Sequence, residues 1–206
     1  MKQIFARMTR GAVVVALVAL SGCIDAEVGM EFETGNRIVA RMDMLMERQL
    51  FDMAGEAPDT ACAQGRWNLT DSYFSCSGER VLTMAEATKP APIQTQRATI
   101  DPAQAVQVEQ LSPTQARVTV DFARILSERP EVLMPPASGD MRATIHQRLL
   151  GHAFVFQVRG SRVVQTSGEI SADGRSARYT FPAERLLDRA GTPIAPFVTV
   201  IEFPPA

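Results

Sequence analysis

The sequence predicts an α+β fold: a mostly antiparallel β-sheet with two or three packed helices, preceded by an N-terminal signal helix. Three observations carry this expectation. Runs of apolar/polar alternation recur along the chain and read as half-buried strands. Short turns built on Gly, Asn and Asp separate several of them. Only a few stretches show the helical period together with a start or stop residue. Strands that outnumber helices and mostly join by short turns favour helices packed on an antiparallel sheet.

The elements follow in order. Ile24, Ala26, Val28, Met30 and Phe32 alternate with Asp25, Glu27 and Glu31, which predicts a strand over 24–32. Thr34-Gly35-Asn36 is a turn, and Ile38, Ala40, Met42 and Met44 form a returning strand. Met46 to Ala54 has a helical stripe (Met46, Leu50, Met53) with Gly55 as its stop. Residues 79–87 read as a strand through Val81, Thr83 and Ala85. Further strands are expected over 93–100, 105–110 and 116–122. Asp140 opens a helix to Leu150 with Met141, Ile145 and Leu149 on one stripe and Gly151 past its end. Phe154, Phe156 and Val158 mark a strand, 161–169 another, and Asp173-Gly174 turns a hairpin into 177–181. A short helix over 183–189 and a strand over 197–203 complete the chain.

Residues 1–22 read as a targeting segment and 23–206 as a single domain, a length that supports its own core. The signal holds three basic residues, Lys2, Arg7 and Arg10, and no acid, so the remainder carries 18 basic and 23 acidic residues, a net of −5. That balance argues against a nucleic-acid partner, which selects basic patches. Lys89 is the sole lysine after processing, a bias that GC-rich coding explains. Of three cysteines, Cys62 and Cys76 form an even pair in a chain expected to meet an oxidising compartment, and a disulfide follows. It closes a loop of about 15 residues and contributes roughly 3 kcal/mol in the chain-entropy model. The loop, near 62–76, holds Trp67, Tyr73 and Phe74 and reads as a stapled hairpin.

The N-terminus is basic, then apolar from Gly11 to Leu20, and ends in Leu20-Ser21-Gly22-Cys23. The apolar run is about ten residues, right for a signal peptide and short of the roughly 20 that span a bilayer. Leu20-Ser21-Gly22-Cys23 resembles the lipobox of bacterial lipoproteins. The resemblance implies diacylglyceryl modification of Cys23, cleavage before it and acylation, palmitate among the chains, at the new amino terminus. The expected location is the cell envelope, facing the periplasm; Ile24, with Asp25 one step later, leans towards the outer membrane. Several acyl chains hold a protein firmly where one is marginal. The fold is expected to start within a residue or two of the anchor.

Met30, Met42, Met44, Met46 and Met53 fall within 24 residues. Methionine recurs where a surface adapts to varied apolar partners, so a groove for acyl chains is the sharp reading and core filling the plain one. No cofactor motif, Gly-x-Ser-x-Gly elbow or metal-ligand spacing is present, and His146 and His152 stand six residues apart. Residues 152–160 and 163–175, with the opening hairpin behind Cys23, resemble LppM-like bacterial lipoprotein domains: an aromatic strand, a Gly, a β-branched pair, a Gly turn and an Asp-Gly hairpin. The resemblance implies a membrane-tethered α+β domain that interacts with lipid, and no catalytic residue. The chain departs from it in the Cys62/Cys76 pair and in the lack of a C-terminal membrane helix. The expected function is a non-enzymatic, membrane-anchored binding or structural module that contacts envelope lipid or a membrane protein. The alternative is an envelope enzyme whose site gathers distant acids such as Asp121, Asp140 and Glu169 with His146. A further idea makes the Trp67 loop a docking element.

Overall fold

The computed structural model describes residues 24–55, 57–63, 65–89, 106–123, 139–187 and 194–206. Cys23, the expected strand at 93–100 and Gly191 lie outside them, and the side chains of Met53, Asp140 and Met141 are likewise not described. Among the described residues strands dominate, with four short α-helices, in agreement with the predicted α+β class.

β1 (Ile24–Thr34) and β2 (Arg37–Glu47) form the expected hairpin, in register from Ile24 opposite Met46 to Phe32 opposite Ile38. α1 (Arg48–Ala54) stops at Gly55, whose left-handed φ of 68° ends the helix. α2 (Pro58–Ala61) leads to β3 (Arg66–Leu69) and β4 (Tyr73–Leu82). Here the structure corrects the sequence: the strand ends at Leu82, and Thr83 caps α3 (Met84–Ala87). The Thr83 side chain accepts from the Glu86 amide while the Glu86 carboxylate accepts from the Thr83 amide at 2.8 Å. This capping box satisfies two amides that a strand ending there leaves open.

β5 (Val106–Ser112) and β6 (Gln115–Val120) pair as a hairpin. α4 (Gly139–Leu149) leads through Gly151 (φ 85°) to β7 (Ala153–Arg159). β8 (Arg162–Thr166), β9 (Glu169–Ile170) and β10 (Ser176–Pro182) follow, then a 3-10 helix (Ala183–Leu187) and β11 (Phe197–Glu202). The expected strand over 161–169 is divided, because Gly168 carries the chain from one sheet to another.

Two sheets form rather than one. Seven strands run in the order β3-β4-β2-β1-β7-β10-β9, and four in the order β5-β6-β11-β8. All pairings are antiparallel except β1 with β7, where Ala26 faces Phe154 and Met30 faces Val158. Register puts Ile24, Ala26, Val28, Met30 and Phe32 on the same face as Met42, Met44 and Met46 and as Phe154, Phe156 and Val158. The opposite face carries Glu31, Arg41, Glu79 and Arg159, together with the buried Val39.

Three packed clusters cover the apolar face. The four-stranded sheet covers one end: Phe32, Ile38, Val118, Val120, Phe197 and Ile201 are almost wholly buried there. Phe122 anchors the cluster, stacked on Phe181 at 4.9 Å and edge-on to Phe156 at 4.8 Å. At the other end α4 and the 3-10 helix pack Ile145, Leu149, Ala183 and Leu187, with Ile24, Leu50 and Phe154 against them. α1 and α2 form the third cluster over β2 and β4, with Phe51 stacked on Phe74 at 4.1 Å.

Polar ties reinforce the edges. Glu202 is held below the ordinary carboxylate range by hydrogen bonds from Arg162 and then Gln115. Asp173 is lowered chiefly by the Ser171 hydroxyl, and Glu86 chiefly by the Thr83 amide. Each is a stronger acid folded than unfolded, so its contribution is full above the unfolded pKa and lost as pH falls through the folded value. The melting temperature is therefore expected to fall as pH drops below the ordinary carboxylate range. Glu202→Gln should flatten part of that fall in a circular-dichroism melt series; parallel curves for variant and parent would remove Glu202 from the account.

Candidate functional site

The predicted site residues separate in the structure. Met30 is 8% exposed and sits under the four-stranded sheet, so it is core. Met42, Met44 and Met46 remain half-buried and pack against Phe51, Phe74, Cys62 and Cys76. Met53 lies in α1. Ala26 and Val28, which face Met44 and Met42 across the hairpin, are also half-buried. The result is an apolar strip on β1 and β2, where the cover of the four-stranded sheet gives way to that of the helices. Leu50 and Phe154 border its lower end, half-buried against the Ile145–Leu149 cluster.

The same alternation makes every residue of the strip apolar; its exposure depends on what packs above it. Unbranched thioether side chains suit such a place, since they fill irregular space and re-pack with little strain. The chemistry available there is burial of aliphatic chain, at about 25 cal/mol per Å² removed from water.

Cys62 and Cys76 are bonded, with Cα atoms 5.7 Å apart. The bond ties the end of α2 to β4 beside the methionines, since Cys76 pairs with Met44. Trp67 pairs with Cys76 from β3 and is 47% exposed, at the edge of the sheet. Gly65 lets the chain pass close here: a Cβ would lie 2.9 Å from the Cys62 sulfur.

Sequence reading missed a polar tie at the foot of the strip. His152 Nδ1 lies 3.0 Å from Asp25 Oδ2, and Asp25 Oδ1 accepts from the Ala153 amide at 3.0 Å. The His152 carbonyl in turn accepts from the Ala183 amide at 2.8 Å. Asp25 thus fastens the start of β1 to the start of β7 and is engaged by the fold. On the opposite face, charges alternate across four strands and a turn: Glu79, Arg41, Glu31, Arg159 and Asp173, at separations of 2.9 to 3.7 Å. Glu79 and then Glu31 raise the Arg41 pKa. An open cleft of about 490 Å³ lies beside this row, between Asp43 and Arg66.

The residues weighed for catalysis are spread over three parts of the fold, with Asp140 and His146 on the same helix. His146 is exposed on α4, Glu169 is exposed on β9, and Asp121 follows β6 in the other sheet. Asp140 is in the first turn of α4. Among the described residues no three His, Cys, Asp or Glu side chains gather as a metal site, and no helix is long and apolar enough to cross a membrane.

No family model and no curated protein matches the chain. A solved structure that it is similar to is the folded domain of the Mycobacterium tuberculosis LppM protein, determined by NMR. The identity is 9%, the TM-score 0.47, and the match covers 88% of this chain and 90% of that one.

Proposed function

We propose that this chain is a lipid-anchored envelope module that binds aliphatic ligand, the acyl chains of envelope lipid, on the strip of Ala26, Val28, Met42 and Met44. The observation that carries the reading is the half-buried state of these side chains on a face that three packed clusters largely cover. Leu20-Ser21-Gly22-Cys23 supplies the anchor and thereby the place, the periplasmic side of the envelope with the outer membrane preferred. Nothing in the reading calls for a reaction: the strip offers burial and no titratable group.

Two measurements test it. Cys23→Ser is expected to release the protein from membranes, and an intact mass should show diacylglycerol on Cys23 of the parent; retention of the serine variant in the membrane fraction contradicts the anchor. Residues 24–206 exported to the periplasm without lipid should carry a co-purifying lipid mass in native mass spectrometry. Met42→Glu with Met44→Glu should abolish it, because a charge on the strip cannot be buried without a partner. A clean apo mass for the parent domain makes the methionines core filling and ends the lipid reading.

A further inference from the structure

We infer that the end of the domain where β1 begins seats directly on the bilayer surface, with Leu150 and Tyr73 as its lipid-contacting side chains. The inference rests on the reading of Cys23 as the lipid-bearing residue, and adds to it the orientation of the domain and the surface that meets the membrane.

Ile24, the next residue after Cys23, is already locked in the sheet. It opens β1, faces Met46 across the hairpin and packs on the Ile145–Leu149 cluster. Consecutive Cα atoms are about 3.8 Å apart, so a lipid on Cys23 enters the bilayer one residue from folded structure. No spacer lets the domain stand off, and the end of the sheet that holds Ile24 must lie at the headgroups.

That end is defined by register. β2 finishes at Glu47 opposite Tyr73, the first residue of β4; β7 starts at Ala153 opposite Pro182, the last of β10. Two large side chains break its polar surface. Leu150 is 46% exposed and Tyr73 38% exposed. Leu150 follows the last residue of α4, and Gly151 turns the chain behind it at a φ of 85°, with the His152 amide bonded to the Leu149 carbonyl. Leu149 to His152 thus form a tight turn with glycine at its left-handed position, and Leu150 within it stays exposed. Tyrosine pairs an apolar ring with a polar tip, which suits a membrane interface.

The arginines Arg48 and Arg148 at this end are each met by a carboxylate. Arg48 pairs with Asp52 at 2.7 Å, Arg148 with Glu47 at 3.0 Å, and His152 meets Asp25 at 3.0 Å. Asp71 is exposed on the turn between β3 and β4. The arginines here therefore leave no unpaired cation between them, and their stems can lie along the surface with their heads in water. The lower border of the methionine strip, at Leu50 and Phe154, belongs to the same end, so seating also brings the strip's border to the lipid.

The test uses the full, lipidated protein in vesicles of phosphatidylethanolamine and phosphatidylglycerol. With Cys23 blocked by lipid and Cys62 bonded to Cys76, a cysteine introduced by Leu150→Cys, Tyr73→Cys or Asn36→Cys is the one free thiol. Asn36 lies in the hairpin turn at the far end of β1, about 30 Å along the strand by its rise per residue. Each variant is labelled with an environment-sensitive fluorophore, and quenching by nitroxide-bearing acyl chains is read. The expected result is several-fold stronger quenching at 150 and 73 than at 36. Equal quenching at all three positions, in protein that floats with the vesicles and shows the lipid mass on Cys23, overturns the seating and leaves the anchor standing. A full chain without the lipid mass overturns the anchor and the seating together.

Discussion

Replacing Cys62 and Cys76 by alanine is expected to lower the stability of the domain by about 3 kcal/mol, the chain-entropy value for a loop of this size. The two residues are 14 apart in sequence and 4% and 1% exposed, so the bond is out of reach of solvent and serves the fold. Alanine is the informative replacement, because serine would bury a hydroxyl at each site. The loss should be felt unevenly. The cluster of Phe51, Ala61, Phe74 and the cysteines is separate from the aromatic cluster between the sheets. β3 is a four-residue edge strand paired only to β4. Without the bond, α2 and β3 should open before the rest. Trp67 is the single tryptophan and sits on β3, so its fluorescence reads that opening. In a urea titration the Trp67 transition should precede the far-ultraviolet circular-dichroism transition in the double variant and coincide with it in the parent. Coincident transitions at an unchanged midpoint would show that the staple contributes nothing.

The disulfide, the opening hairpin and the Asp-Gly turn were legible because each is local. Alternation from Ile24 to Phe32 places the face, and a turn at 34–36 fixes the partner strand. The helix at α3 was also written locally, as Thr83 three residues before Glu86, but the alternation of Val81, Thr83 and Ala85 competes with it; the capping geometry wins because it satisfies backbone amides. What the sequence hides is pairing at long range. β7 alternates like any half-buried strand, and nothing in it states that it lies parallel to β1, more than a hundred residues earlier, rather than in the other sheet. The contact of Asp25 with His152 spans 127 residues and depends wholly on that pairing. The methionines show the same limit within one pattern. Met30 and Met42 occupy equivalent places in alternating strands, yet one is core and the other half-exposed. The difference is set by how far the four-stranded sheet reaches across the face, which depends on where its strands dock.

That docking is set by two glycines, and Gly168→Ala is expected to be among the most damaging single methyl additions to the chain. Gly160 carries the chain from β7 in the large sheet to β8 in the small one, and Gly168 carries it back to β9. Neither has a positive φ, so the demand is for space and not for backbone freedom. A Cβ at Gly168 would run into the Arg178 carbonyl oxygen and lie 2.9 Å from the Phe197 ring; at Gly160 it would meet the Glu202 carbonyl oxygen and Ile201. These obstacles are backbone atoms fixed in β10 and β11, and Phe197 is fully buried in the aromatic cluster against Tyr179. Relief therefore requires the two sheets to move apart at these crossings. Overpacking of a core typically costs 1–3 kcal/mol; with backbone as the obstacle, roughly 3 kcal/mol is expected for each variant. Gly29→Ala is the matched control. Gly29 lies within β1, nothing stands within 4 Å of its Cβ position, and the added methyl should leave stability unchanged or slightly raised. Urea midpoints at constant slope measure all three. A Gly168→Ala protein as stable as Gly29→Ala would mean that the sheets can separate at this corner without loss. In that case the half-open state of the methionine strip could not be attributed to a fixed cover on one side, and the burial difference between Met30 and Met42 would need another cause.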